Sequence, residues 1–300
     1  MKEKNFKSGY VSIIGRPNVG KSTLLNEIIG EKISAISPKP QTTRQNITFI
    51  YTDDDAQIIF LDTPGMQKPK NKLGQYMLEE SKAGIEDADV VTYIVDTSKK
   101  IGKAERGIIE LLKNYKGKIP IILLINKIDN IRKDELLQII EMYSSESIFD
   151  EIIPISAINA DGTDLYIEIL KNYLREGPMF YPNDMITDKN ERFIAAELIR
   201  EKGLKYLQDE VPHGLAVEIE KFKKRENKEL YDINAIIYVE RESHKAIIIG
   251  KKGQMLKKIA QESRESIEQL IGTKVNLQVW VKVEKNWRDK DNSVKKFGYN

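Results

Sequence analysis

Three hundred residues with a formal net charge of +2 and 40% hydrophobic content are enough for two domains, each with its own core. The chain has no cysteine, which excludes disulfide and thiolate chemistry and fits a reducing cytoplasm; its only histidines, His213 and His244, are too few for a zinc site. Residues 1–5 carry no apolar signal region, and no apolar run approaches the roughly 20 residues that a membrane span needs, so any membrane contact is expected to be peripheral.

The first strand-like run, Tyr10–Ile14, leads into Gly15-Arg16-Pro17-Asn18-Val19-Gly20-Lys21-Ser22 and then into the helix-like Thr23–Ile29. G-x-x-x-x-G-K-S between a strand and a helix is a phosphate-binding loop. Its backbone N–H groups curl round a polyphosphate at a positive helix end, the lysine reaches the β- and γ-phosphates, and the serine hydroxyl holds Mg²⁺. The phosphate site is therefore expected at Gly15, Asn18, Val19, Gly20, Lys21, Ser22 and Thr23.

Downstream, the polar loop Gln41-Thr42-Thr43-Arg44 stands where a threonine hydroxyl would close onto Mg²⁺. Thr43 is favoured because it precedes the arginine as in the T-T-R-D proteins that this loop resembles, but the sequence leaves Thr42 open. Strand-like Ile58–Leu61 ends in Asp62-Thr63-Pro64-Gly65, followed by Met66. Asp62 is expected to bind Mg²⁺ mostly through water, and the Gly65 amide to sense the γ-phosphate, which makes these residues and Gln41–Arg44 two nucleotide-sensitive switches. Arg16 and Arg44 read as exposed loop residues in preference to charge stabilisers.

The apolar run Ile119–Ile125 meets Asn126-Lys127-Ile128-Asp129. In N-K-x-D the carboxylate accepts from guanine N1–H and from its 2-amino group, a donor pair that adenine lacks. Sites built on such bonds reject the wrong partner by about 10⁴-fold. Ile152–Ile155 then leads to Ser156-Ala157, whose backbone would cap guanine O6.

These five elements, in this order, resemble the Ras-like GTPase superfamily across residues 8–177. The resemblance implies an α/β P-loop fold with a mostly parallel sheet flanked by helices. It also implies that Asn126 braces base and phosphate loop while Lys127 lies along the base. One departure matters. Ras-like enzymes carry a water-orienting glutamine where this chain has Met66, and a thioether cannot orient water, so slow intrinsic hydrolysis is expected. G-R-P-N-V-G-K-S is also similar to the loop of the TrmE–Era branch, which implies that Asn18 can coordinate K⁺ beside the phosphates in place of an arginine finger; the alternative is that Asn18 only tolerates an unusual backbone angle in the loop.

The helix-like segment ending near Gly177-Pro178 and the following Pro182-Asn183-Asp184 mark a linker. The expected division is a nucleotide domain over 1–177, a linker over 178–187 and a second domain with its tail over 188–300. Asn190–Lys202 has helical apolar spacing; Leu215–Phe222 and Tyr231–Val239 alternate as strands joined by the polar segment 223–229. Then comes Ile249-Gly250-Lys251-Lys252-Gly253, a helix over 254–271 and a strand over Lys274–Val283. The order α-β-β-α-α-β with I-G-x-x-G matches a smaller α+β module, the type II KH domain, in which single-stranded nucleic acid passes the glycine turn. Lys251 and Lys252 would contact phosphates, with Lys257 and Lys258 continuing the positive edge. Residues 241–260 hold 6 basic residues against 1 acidic, a footprint suited to phosphates. Phe180, Tyr181 and Trp287 are base-stacking candidates; Trp280, which alternates with valines, reads as core or interface.

With Glu210-Val211-Pro212-His213, Trp280-Val281-Lys282-Val283 and Trp287-Arg288 added, nearly all 300 residues resemble the Era family of bacterial GTPases. That resemblance implies binding to 16S rRNA near its 3′ end, a role in maturation of the 30S ribosomal subunit, and some peripheral association with the inner face of the cell membrane; a cytoplasmic monomer is expected, but the sequence leaves dimerisation open. The expected activity is a GTP/GDP switch that hydrolyses GTP with Mg²⁺ and K⁺. The alternative is an RNA-binding assembly protein in which GTP is mainly a structural ligand.

Overall fold

The computed structural model describes residues 6–37, 39, 41–226 and 228–299. Residues 1–5, read above as lacking an apolar signal, lie outside these. The chain divides into two compact units, one of residues up to Ile33 with Thr43–Lys68 and Met77–Asp188, the other of Ser34–Thr42, Pro69–Tyr76 and the residues from Lys189 onward.

In chain order the first part forms β1 (Lys7–Ile14), α1 (Lys21–Ile29), β2 (Ile47–Thr52), β3 (Ala56–Asp62), α2 (Lys72–Glu86), β4 (Val90–Val95), α3 (Lys103–Lys113), β5 (Ile121–Asn126), α4 (Lys133–Ser144), β6 (Glu151–Ile155), α5 (Thr163–Tyr173) and β7 (Arg175–Glu176). The sheet order is β2-β3-β1-β4-β5-β6, with β7 also pairing to β1. All pairings are parallel except β2 with β3 and β7 with β1. Parallel central strands are covered on both faces, which is why Val90–Val95 and Ile121–Asn126 are buried at every position. Strand order reverses beside β1, and ligands bind such sheets at the carboxyl ends of the strands around that reversal. The motifs at residues 15–22, 62–66, 126–129 and 156–157 all follow carboxyl ends of strands in this sheet.

The second part forms α6 (Glu191–Tyr206), β8 (Ala216–Lys224), β9 (Leu230–Val239), α7 (Glu242–Ile249), α8 (Gln254–Ile271), β10 (Lys274–Val283) and α9 (Asp291–Lys296). Its sheet runs β10-β9-β8, with β10 parallel to β9 and β8 antiparallel to it. The order from α6 to β10 is the expected α-β-β-α-α-β.

Three expectations need correction. The hairpin is longer than its hydrophobic pattern: pairing continues to Lys224 opposite Tyr231, through residues assigned above to the polar connection. Opposite charges hold that extension, with Arg225 bridging Asp232 at 2.7 Å and Lys224 bridging Glu229 at 2.8 Å. Trp280 is 43% exposed, because alternation along β10 turns Val275 and Val281 inward and the tryptophan to the opposite face. Trp287 is fully buried instead of free to stack on bases; its Nε1 donates to the Gly214 carbonyl at 2.8 Å and its ring packs against Phe297 and Tyr299.

Candidate functional site

The loop after β1 closes over a lysine. Lys21, buried at the start of α1, donates from Nζ to the carbonyls of Arg16 at 3.1 Å and Gly15 at 3.3 Å. Burial lowers its pKa from 10.5 to about 8, partly offset by the nearby Asp62 charge. Beside it three hard oxygen donors converge. Ser22 Oγ donates to Asp62 Oδ2 at 2.7 Å, Thr43 Oγ1 donates to the same oxygen at 3.2 Å, and the two hydroxyls are 3.0 Å apart. One carboxylate with two hydroxyls suits Mg²⁺, which prefers oxygen ligands and keeps much of its shell for water and phosphate. Thr42 is not part of this corner, since its hydroxyl donates to the Lys39 carbonyl at 2.6 Å.

The segment after Asp62 is pinned to the sheet. Thr63 Oγ1 donates to the Ile13 carbonyl at 2.7 Å, and Ser81 Oγ to the Pro64 carbonyl at 2.9 Å. Gly65 passes so close to the phosphate loop that a Cβ there would meet the Pro17 nitrogen at 2.7 Å. The Met66 amide donates to the Gly15 carbonyl at 3.0 Å, and its side chain is buried with Ile14, Tyr93 and Ile108 in the main apolar cluster. Gln41, with φ of 63°, lies with Thr42 in the second unit, where Arg200 of α6, paired with Glu197, donates to both carbonyls.

The guanine motif is joined to the phosphate loop directly. Asn126 Nδ2 donates to the Val19 carbonyl at 2.8 Å, and Asn126 Oδ1 accepts from the Ala157 amide at 2.9 Å and the Lys127 amide at 2.8 Å. Gly20 holds φ at 109° beneath it, and a Cβ at that position would meet Asn126 Nδ2 at 2.2 Å. Lys127 Nζ donates to the Asn18 carbonyl at 2.7 Å, and exposed Asp129 accepts from Ser156 Oγ at 2.6 Å. One amide side chain thus ties together three separate motifs.

The two loop arginines depart from expectation. Arg44 is only 2% exposed. Arg16 forms an ion pair through Nε with Glu105 of α3, and its Nη2 donates to Asp96 at 3.3 Å. The sequence reading missed Glu105, Asp96 and Arg200. An acidic residue in the first turn of a helix, as Glu105 is in α3, is the ordinary helix-dipole preference, so no sequence signal marked it as buried.

In the second unit the turn between α7 and α8 uses left-handed backbone at three positions: Gly250 at 71°, Lys252 at 52° and Gly253 at 76°. Ile249 is half-buried, whereas Lys251, Lys252, Lys257 and Lys258 are exposed. Lys258 differs from the rest in that its Nζ lies 4.1 Å from the centroid of the Tyr206 ring.

Comparison with known proteins gives this architecture a family. A profile described as 50S ribosome-binding GTPase matches residues 10–127, and one described as KH domain matches residues 210–288. GTPase Era of Clostridioides difficile (strain 630) is 56% identical over 296 residues, covering 98% of this chain and 99% of its own. The chain belongs to the Era family of GTPases. A GTPase Era of Clostridium botulinum (strain Alaska E43 / Type E3) is 52% identical over 98% of this chain and 99% of its own. A crystal structure of Era in complex with MgGDPNP and nucleotides 1506–1542 of 16S ribosomal RNA matches with a TM-score of 0.93 at 42% identity, covering 98% of this chain and 99% of that one. Aquifex aeolicus Era bound to GDP and AlF₄⁻ matches at 0.92 and 41%, with the same coverage. This Era-family chain is therefore a P-loop GTPase domain followed by a KH domain.

Proposed function

We propose that the chain is a GTP-hydrolysing switch whose nucleotide state governs binding of its KH module to 16S rRNA near the 3′ end during 30S subunit maturation. The nucleotide part is assigned to residues 1–177, the linker to 178–187 and the KH part to 188–300. The observation that carries the reading is the convergence of Ser22, Thr43 and Asp62 beside buried Lys21, tied through Asn126 to the guanine motif. The relative solved with an rRNA segment supports the RNA assignment.

Lys21 would neutralise charge on the β- and γ-phosphates, and the loop amides from Asn18 to Thr23 would bind them. Ser22, Thr43 and, through water, Asp62 would hold Mg²⁺, which when bound adds positive charge at the phosphates. Asp129 would accept from guanine, and the Ala157 backbone would cap O6. Met66 supplies no water-orienting group, so unstimulated turnover is slow, in the region of the ~10⁻⁴ per second of Ras without its activator. Asn18 is assigned as the K⁺ ligand that compensates. Equal hydrolysis rates in K⁺ and Na⁺ buffers would remove that assignment.

At the KH turn Lys251, Lys252 and Lys257 would meet phosphates while Ile249 contributes to the apolar side of the groove. Peripheral contact with the inner membrane face completes the proposal; among the described residues no helix is long and apolar enough to cross a membrane. The deciding experiment is affinity for a short RNA matching the 3′ end of 16S rRNA, with the protein loaded with a GTP analogue and then with GDP. A preference of about tenfold or more for the GTP form establishes the switch. Equal, tight binding in both states would instead favour GTP as a structural ligand, the reading to which buried Met66 lends weight.

A further inference from the structure

We propose that Glu105 is a positioning residue for the phosphate loop, acting through Arg16; the inference rests on the reading of residues 15–22 as the phosphate site. The Arg16 side chain faces two carboxylates at once. Its Nε pairs with Glu105, and its Nη2 lies 3.3 and 3.4 Å from the two oxygens of Asp96. Glu105 is 3% exposed, and its Oε2 folds back over the helix start, 2.8 Å from where a Cβ on Gly102 would stand. Tyr93 and Tyr143 are fully buried nearby, their hydroxyls making no hydrogen bond among the described residues. Burial pushes both phenols up, and the Glu105 charge adds to the effect in each. The carboxylate therefore sits over a poorly solvated floor, with Arg16 as its counter-charge.

The backbone of the same arginine reaches the nucleotide side. Its carbonyl accepts from Lys21 Nζ at 3.1 Å, and the preceding Gly15 carbonyl accepts from Lys21 and from the Met66 amide. Fixing the guanidinium from behind thus fixes the carbonyls that aim the phosphate lysine. The pairing needs a planar fork, since one ammonium cannot reproduce guanidinium geometry toward two separate carboxylates. Removing Arg16 alone leaves the buried Glu105 carboxylate without its counter-charge, whereas removing Glu105 leaves the partly exposed Arg16 still paired with Asp96.

The test is dissociation of a fluorescent GDP, with melting temperature measured in parallel, for Glu105→Gln, Arg16→Met and the double variant Arg16→Met/Glu105→Met in the full chain. The expected result is GDP release faster by about tenfold in both single variants, with the GTP KM rising more than kcat falls. The double variant, relieved of buried charge, regains melting temperature but keeps the fast release. Release rates within about twofold of wild type in all three, or a double variant that recovers both properties, would make the pair merely structural and overturn the inference. A wild-type chain that holds no fluorescent GDP would instead remove the underlying reading of the loop.

Discussion

Asn126 Nδ2 donates to the carbonyl of Val19 at 2.8 Å, so a side chain at the end of β5 closes the back of the loop that follows β1. Truncation in Asn126→Ala leaves the Val19 carbonyl and the Ala157 amide without their partner. Each such loss costs about 1–3 kcal/mol when the group stays buried. Guanine-nucleotide affinity should fall by roughly 10- to 100-fold, read by equilibrium titration with fluorescent GDP; an unchanged Kd would mean that the loop holds its shape unaided.

Asp129 is the residue proposed to select the base. In Asp129→Asn the side chain presents a donor to the guanine donors, and GTP affinity should drop by about 10²-fold or more. Xanthosine triphosphate, with a carbonyl in place of the 2-amino group, should recover part of the loss. Competition between the two nucleotides measures it, and equal losses for both would place the base elsewhere.

Lys21 is expected to make nucleotide binding a proton-linked event. Its folded pKa, lowered to about 8 from the ordinary 10.5, means that the unfolded chain binds more protons than the folded one between those values. Stability of the nucleotide-free protein should therefore rise, on account of this group, as pH climbs from about 8 toward 10.5; below about 8 the cost of the buried charge is fully present. Phosphates restore the charge, so GDP binding near pH ~8.5 should take up a fraction of a proton that is absent near pH ~6.5. Calorimetry in buffers of different ionisation enthalpy reports it directly. A binding enthalpy independent of buffer at the higher pH would mean that the lysine is already charged.

Lys251→Ala combined with Lys252→Ala should weaken RNA binding while leaving the fold intact, because both side chains are exposed. Two phosphate contacts correspond to a shallower salt dependence, by about 0.7 per contact for a single strand. A loss of affinity with unchanged salt slope would point to a distorted turn in place of missing charge.

Trp287→Ala should destabilise the second unit by about 3–5 kcal/mol, since it empties a fully buried site and orphans the Gly214 carbonyl. Chemical denaturation followed by the fluorescence of the remaining Trp280 measures it.

What the sequence disclosed is what local chemistry encodes. Gly15–Ser22, Asp62–Gly65, Asn126–Asp129 and Ser156-Ala157 each announce themselves because a phosphate, a cation or guanine demands particular atoms at fixed spacing. Strand alternation located β10 and also fixes its faces: valines at 275 and 281 pointing inward require Trp280 to point away. Arg16 was misjudged for a different reason. Its partners Glu105 and Asp96 come from other strands and helices, and only the assembled sheet brings them behind the loop. Composition does not separate Thr43 from Thr42; in the structure Thr43 donates to Asp62 while Thr42 donates to the Lys39 carbonyl.

Met66 gives the second switch a fixed point. Because its side chain is buried in the apolar cluster that includes Ile14, Tyr93 and Ile108, and its amide donates to the Gly15 carbonyl as Thr63 donates to Ile13, residues 62–66 are held to the sheet at both ends. If residues 62–66 act as the proposed nucleotide-sensitive switch, any swing on loss of the γ-phosphate would have to hinge beyond this methionine, with the D-T-P-G turn held in place. Restoring a Ras-like glutamine at position 66 would sink an amide into the apolar cluster, and would loosen the mooring before it could steer a water molecule.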